Sequence, residues 1–153
     1  MAELKEGSKA PAFSLTDDSG KTVKLSDFAG KTLVLYFYPR ADTPGCTREA
    51  CDFRDEIAVF KKHKAVVVGV SKDKVPALQK FKEKYQLPFP LLSDPEHAVQ
   101  EAYGAWGKKN MYGKIVEGSI RSTVIIGPDG KIVRHWPKVK VDGHAEAVIE
   151  ALP

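Results

Sequence analysis

Pro39-Arg-Ala-Asp-Thr43-Pro-Gly-Cys46-Thr-Arg-Glu-Ala-Cys51 follows directly on the run Thr32-Leu-Val-Leu-Tyr-Phe-Tyr38, and reading the two together decides the fold. The apolar and aromatic run has the character of a strand buried on both faces of a sheet. Pro39, which lacks an N–H, ends its ladder. Pro44 after Thr43 marks a helix start, because proline suits a first helical position and threonine suits the cap before it. Cys46 then falls in the first turn, where unpaired backbone N–H groups and the positive end of the helix dipole favour thiolate over thiol. Cys51 lies further along the same helix. Five residues of ideal helix separate two Cα atoms by roughly 8 to 9 Å, whereas a disulfide tolerates no more than about 7 Å. Pairing these cysteines therefore demands that the first turns unwind. The spacing also argues against a Cys-x-x-Cys site, in which the bond forms with little rearrangement.

Outward from this stretch the chain alternates between strand and helix. Phe13–Thr16 and Thr22–Leu25, separated by Asp-Asp-Ser-Gly, read as an N-terminal β-hairpin, with a short turn or helix at Ser26-Asp-Phe28. The helix from Pro44 runs to about Lys62 and presents Ala50, Phe53, Ile57 and Phe60 at helical spacing. Ala65-Val-Val-Val-Gly-Val-Ser71 is a second buried strand, parallel to the first because a helix connects them. A helix near Lys74–Tyr85, an extended Phe89–Leu92 and a helix over Pro95–Tyr103 capped by Asp94 come next. Trp106, Met111 and Tyr112 sit in a glycine-flanked loop, as packing residues or at a pocket mouth. Ser119–Ile126 and Lys131–Trp136 flank the turn Gly-Pro-Asp-Gly, and Asp142 caps a final helix to Leu152. The pattern is α/β, a central mixed sheet with helices on both faces.

Length and composition fit one domain over 1–153. The chain is long enough to bury a core, and its 42% hydrophobic residues are spread along it without repeat or linker. Two cysteines make no disulfide scaffold, and Met1-Ala-Glu-Leu-Lys-Glu6 lacks the apolar stretch of a signal peptide, so a cytoplasmic protein is expected. No run approaches the roughly 18 to 20 apolar residues of a membrane span. The net charge of +4 arises from lysines interspersed with acids, a solvated surface rather than a track for nucleic acid. Cys46, Cys51 and His63 fall short of the four ligands of a structural zinc site, and His97, His135 and His144 have no matching spacing. No metal or cofactor is implied.

The residues also resemble a family. Pro39-x-x-x-Thr43-x-x-Cys46 is similar to the active-site signature of the peroxiredoxins, and Cys51 stands where the bacterioferritin-comigratory-protein or Q-type subfamily carries its resolving cysteine. The likeness extends to Gly7-Ser-Lys-Ala-Pro-Ala-Phe-Ser-Leu15, Leu91-Leu-Ser-Asp94, Trp106-Gly-Lys-Lys-Asn-Met-Tyr-Gly-Lys114 and Arg121-Ser-Thr-Val-Ile-Ile126. Thr47 stands where many peroxiredoxins have proline, as is common in Q-type members. The resemblance implies a thioredoxin-like fold, Cys46 as peroxidatic residue, Pro39 shielding the thiolate, Thr43 holding the peroxide, Arg121 beside the sulfur and Glu49 orienting the arginine. It further implies peroxide substrates, thioredoxin or a glutaredoxin system as reductant, and a monomer, since both cysteines lie in one chain.

The chemistry is consistent with those roles. A thiolate that attacks ROOH becomes a sulfenic acid and releases ROH, so charge on the departing oxygen must be stabilised. The Thr43 hydroxyl can accept and donate at a peroxide. Arg121 offers several donors and never competes for the proton, and a charged residue in the apolar run Ile120–Ile126, read as strand, needs a partner. Blander readings place Thr43 as a cap, Arg48 and Glu49 as a solvated helix pair, and Arg121 on a sheet edge. Two rival functions are a thioredoxin-like disulfide oxidoreductase and a non-enzymatic interaction protein with structural cysteines.

Overall fold

A computed structural model describes residues 4–153; residues 1–3, part of the signal-peptide reading, lie outside the described residues. The strands are β1 (Ser14–Asp17), β2 (Thr22–Lys24), β3 (Thr32–Phe37), β4 (Ala65–Ser71), β5 (Leu91–Ser93), β6 (Trp106–Met111), β7 (Lys114–Ser119), β8 (Ser122–Ile126) and β9 (Ile132–Trp136). Seven of them form one sheet in the order β2-β1-β5-β4-β3-β8-β9, while β6 and β7 form a separate two-stranded sheet. The three central strands β5, β4 and β3 run parallel, and the flanking pairings are antiparallel.

Alternation along β3 divides the core. Val34 and Tyr36, with Tyr38 beyond, face a layer built from α1 (Pro44–Asp55), α2 (Ile57–Lys62), α3 (Val75–Tyr85) and α5 (His144–Glu150). Leu33, Leu35 and Phe37 face the other side, towards the 3-10 turn Leu25–Phe28 and α4 (Ala98–Ala102). β3 is buried throughout, as a strand covered on both faces must be. Its neighbour β4 narrows at Gly69, where a Cβ would sit 2.9 Å from the Tyr36 ring, so the phenol lies flat against bare backbone. Cys46, Ala50 and Phe53 of α1 belong to the Tyr36 side of the core.

Several boundaries differ from the sequence expectation. The helix expected over Pro44–Lys62 is two helices, because Glu56 N–H turns to Phe53 O at 3.2 Å and the α-helical ladder stops there. The helix expected from Pro95 begins at Ala98: His97 takes a left-handed φ of 52°, and Asp94 caps from further back, its Oδ2 accepting Gln100 N–H at 2.9 Å. Asp142 does not cap the last helix. Gly143, at φ 71°, holds the cap position, and the Asp142 carboxylate reaches Arg48 instead, at 2.6 Å.

The loop expected over Trp106–Tyr112 is a hairpin. Tyr112 and Gly113 take positive φ, 54° and 83°, the requirement of a tight two-residue turn, and Asn110 Oδ1 accepts Gly113 N–H. Trp106 stacks on His97 with ring centroids 3.8 Å apart, whereas Met111 and Tyr112 are exposed. The strand expected over Ser119–Ile126 is interrupted between β7 and β8, so Arg121 lies in a two-residue break rather than in a ladder. Among the described residues no helix is long and apolar enough to cross a membrane.

Candidate active site

The site is assembled where β3 hands over to α1. Tyr38 N–H still pairs with Val70 O at 3.1 Å, and half-buried Pro39 then starts the connecting loop. Ala41 N–H is taken by Asp73 Oδ2 at 2.7 Å, and Asp42, at φ 57°, is held by Tyr85 OH at 2.6 Å and Lys84 Nζ at 2.9 Å. Thr43 occupies the N-cap position in backbone terms, its carbonyl accepting Thr47 N–H at 2.8 Å. Its hydroxyl does not cap the helix: it donates to Arg40 O at 2.8 Å. The reading of Thr43 as a side-chain cap is corrected accordingly.

Cys46 is 1% exposed, and Arg121 Nη2 lies 3.3 Å from its sulfur. The other arm of the guanidinium, Nη1, donates to Glu49 Oε1 at 2.6 Å. Glu49 is buried and Arg121 half-buried, which makes this pair unlike the solvated Arg48–Glu49 pair of the blander reading; Arg48 instead points outward to Asp142. Burial pushes the Glu49 carboxyl up to about 7 against the pull of Arg121, and its Oε2 has no hydrogen-bond partner among the described residues. Neither cysteine is in a disulfide. Cys51 is half-buried on the unbroken helix α1, and that partial burial raises its thiol.

Helix, loop and interstrand break thus bring Thr43, Cys46, Glu49 and Arg121 to one place, with Pro39 at its edge. Pro39 and Arg121 also form part of the wall of an open cleft of about 1040 Å³, along with Ile120, Lys108 and Val139. Trp106, Met111 and Tyr112 do not line it; Lys108, Lys109 and Asn110 of the same hairpin do. Among the described residues no group of three or more His, Cys, Asp or Glu side chains could hold a metal ion.

Three residues near the site had no role in it on the sequence alone. Gly45 admits the guanidinium over the helix start, since a Cβ there would lie 3.2 Å from Arg121 Nη2. His144 lies buried beneath Phe53 and Trp136, its Nε2 2.8 Å from Thr123 Oγ1; burial, with the Arg121 charge, lowers its imidazole to about 4. Asp73 reaches the loop from the end of β4. Only Gly45 carried a local signal, a glycine in the second position of an expected helix.

Residues 7–135 match the AhpC/TSA family. The chain belongs to that family. It is 50% identical to a putative peroxiredoxin bcp of Coxiella burnetii, over 97% of this chain and 99% of that one. Peroxiredoxin Bcp of Bacillus subtilis is 49% identical, over 95% and 93% of the two chains. A solved structure of Xanthomonas campestris peroxiredoxin Q superposes with a TM-score of 0.87 at 44% identity, covering 92% of this chain and 89% of that one. A second Xanthomonas campestris structure, described for the alkyl peroxide reduction activity of its bacterioferritin comigratory protein, gives 0.90 at 41%, covering 97% of each chain. The chain is accordingly a peroxiredoxin of the bacterioferritin-comigratory-protein or Q type with a thioredoxin-like fold. It is a thiol-dependent peroxidase, acting on peroxides at the expense of a thiol reductant.

Proposed function

We propose that the Cys46 thiolate is the nucleophile of this peroxidase and Cys51 its resolving partner. The observation that carries the reading is the Arg121 fork, one arm 3.3 Å from Cys46 Sγ and the other on buried Glu49. A guanidinium held this way stabilises thiolate and can follow negative charge onto the departing oxygen. Thr43 orients the peroxide, Pro39 shields the sulfur, and Glu49 fixes Arg121. Sulfur attacks the near oxygen, the O–O bond breaks, and the leaving RO⁻ takes up a proton as ROH. The Cys51 sulfur then attacks the sulfenic sulfur, water departs, and an intramolecular disulfide forms.

Because α1 runs unbroken through both cysteines, this second step requires it to unwind. A dithiol, thioredoxin by resemblance, restores both thiols in a cytoplasmic monomer whose residues 1–153 act as one domain. The deciding experiment adds one equivalent of hydrogen peroxide to reduced protein beside a Cys46→Ser control. Loss of both thiols with a mass decrease of about 2 Da, absent from the control, is the expected result. Persistence of both thiols would overturn the reading in favour of disulfide exchange with protein partners, or of structural cysteines.

A further inference from the structure

We propose that Asp73 is a positioning residue for peroxide reduction, acting through a single peptide group on the hydroxyl of Thr43. The inference rests on the peroxidase reading above and adds to it a residue outside the signature stretch. The peptide between Arg40 and Ala41 is held at both ends. Its N–H donates to Asp73 Oδ2 at 2.7 Å, and its C=O accepts the Thr43 hydroxyl at 2.8 Å. A peptide group is a rigid plane with N–H and C=O pointing in opposite directions, so fixing one end fixes the other. The Asp73 carboxylate thereby sets the direction in which the Thr43 hydroxyl hydrogen points. With that hydrogen on Arg40, the hydroxyl oxygen keeps its lone pairs for the O–H of an incoming hydroperoxide.

Asp73 is well placed for this task because it is itself fixed. Its Oδ2 also accepts Ser71 Oγ at 2.8 Å, its own N–H donates to Ser71 Oγ at 3.2 Å, and its carbonyl accepts Ser93 Oγ at 2.6 Å. Ser71 ends β4 and Ser93 ends β5, so the peptide is referenced to the parallel centre of the sheet, not to the helix that carries Cys46. When α1 opens and refolds between turnovers, the sheet end remains as the template to which the Thr43 loop returns. Water is a poor substitute, since an unheld peptide can tilt, and small misplacements of a reacting group are costly.

The test is a double-mutant cycle on the full chain with Asp73→Ala, Asp73→Asn and Thr43→Val, reading kcat/KM for hydrogen peroxide and, separately, for the reducing dithiol. Asp73→Ala is expected to lower the peroxide constant about ten- to hundredfold while the dithiol constant holds, because only the first step uses Thr43. Asp73→Asn, which keeps an acceptor oxygen, is expected to recover most of the loss, and Asp73→Leu, of similar size but with no acceptor, carries the cycle if the alanine variant does not fold. In the Thr43→Val background no Asp73 substitution should reduce the rate further. Additive losses, an unchanged rate in Asp73→Ala, or equal falls in both constants would overturn the proposal. None of these outcomes would touch the peroxidase reading, which stands or falls on the wild-type thiol count.

Discussion

A Cβ on Gly45 would lie 3.2 Å from Arg121 Nη2, so the absence of a side chain at the second residue of α1 is what lets the guanidinium rest over the helix start. Gly45→Ala sets two effects against each other. Alanine favours helix over glycine by about 0.5–1 kcal/mol, while the new methyl displaces an arm already committed to Cys46. The thermal midpoint is expected to hold or rise, and the second-order rate with hydrogen peroxide to fall about tenfold, as misplacement of a charged donor would cause. A variant that reacts at the wild-type rate would show that Arg121 tolerates the shift.

Cys51→Ser is expected to consume one equivalent of peroxide and then stall, since no resolving thiol remains beside the sulfenic acid. With excess peroxide, intact mass should rise by about 32 Da as the sulfinic acid accumulates. Sustained turnover with no added small thiol would remove Cys51 from the resolving role.

Amide exchange should differ between redox forms over 43–55 and nowhere else to a similar degree. Reduced protein is expected to protect α1, and the disulfide form to lose that protection, because the helical cysteine spacing is too long for the bond. The loss should end close to Arg54, whose Nη1 donates to Tyr85 O at 2.7 Å. Equal protection of α1 in both forms would contradict the rearrangement.

Glu49 and His144 give opposite slopes to stability against pH. The Glu49 carboxyl is raised by burial from 4.5 to about 7, so the native state binds the extra proton in that window and stability falls as pH rises through it. His144 is lowered by burial from 6.5 to about 4, so there the unfolded state binds the extra proton and stability falls as pH drops. In wild type the two contributions oppose over most of pH 4.5–6.5. Glu49→Gln should leave the His144 slope alone, giving a thermal midpoint that falls steadily from about pH 6.5 to 4. His144→Gln should show the reverse trend. A midpoint in Glu49→Gln that tracks wild type across this range would refute the assignment.

Much of this arrangement was legible in the residues. The β3 run, Pro39, Pro44 and the two cysteines fixed strand, turn, helix and the parallel β3–β4 pairing, because buried strands and proline punctuation are local signals. Glu49 was read from resemblance alone, and Arg121 from resemblance together with its charge inside an apolar run. Their meeting joins positions 72 residues apart, and no local pattern records it. The β6–β7 hairpin was missed because Tyr112 holds a positive φ, which turn statistics assign to glycine or asparagine, and because lysines fill its strands. Asp73 was invisible for a related reason. An aspartate after a strand looks like any turn residue until the backbone it reaches is known.

The interruption at Glu56 has a consequence for how damage is contained. Helix formation is cooperative, so in one continuous helix from Pro44 to Lys62 loosening at Cys46 would be felt down to the last turn. With the ladder broken after Asp55, fully buried Phe60 sits on a separate helix, α2, whose own ladder does not depend on the turns around Cys46. On the proposed cycle the break would act as a firebreak: α1 would come apart at each turnover, and the separate helix α2 would stay folded on the core.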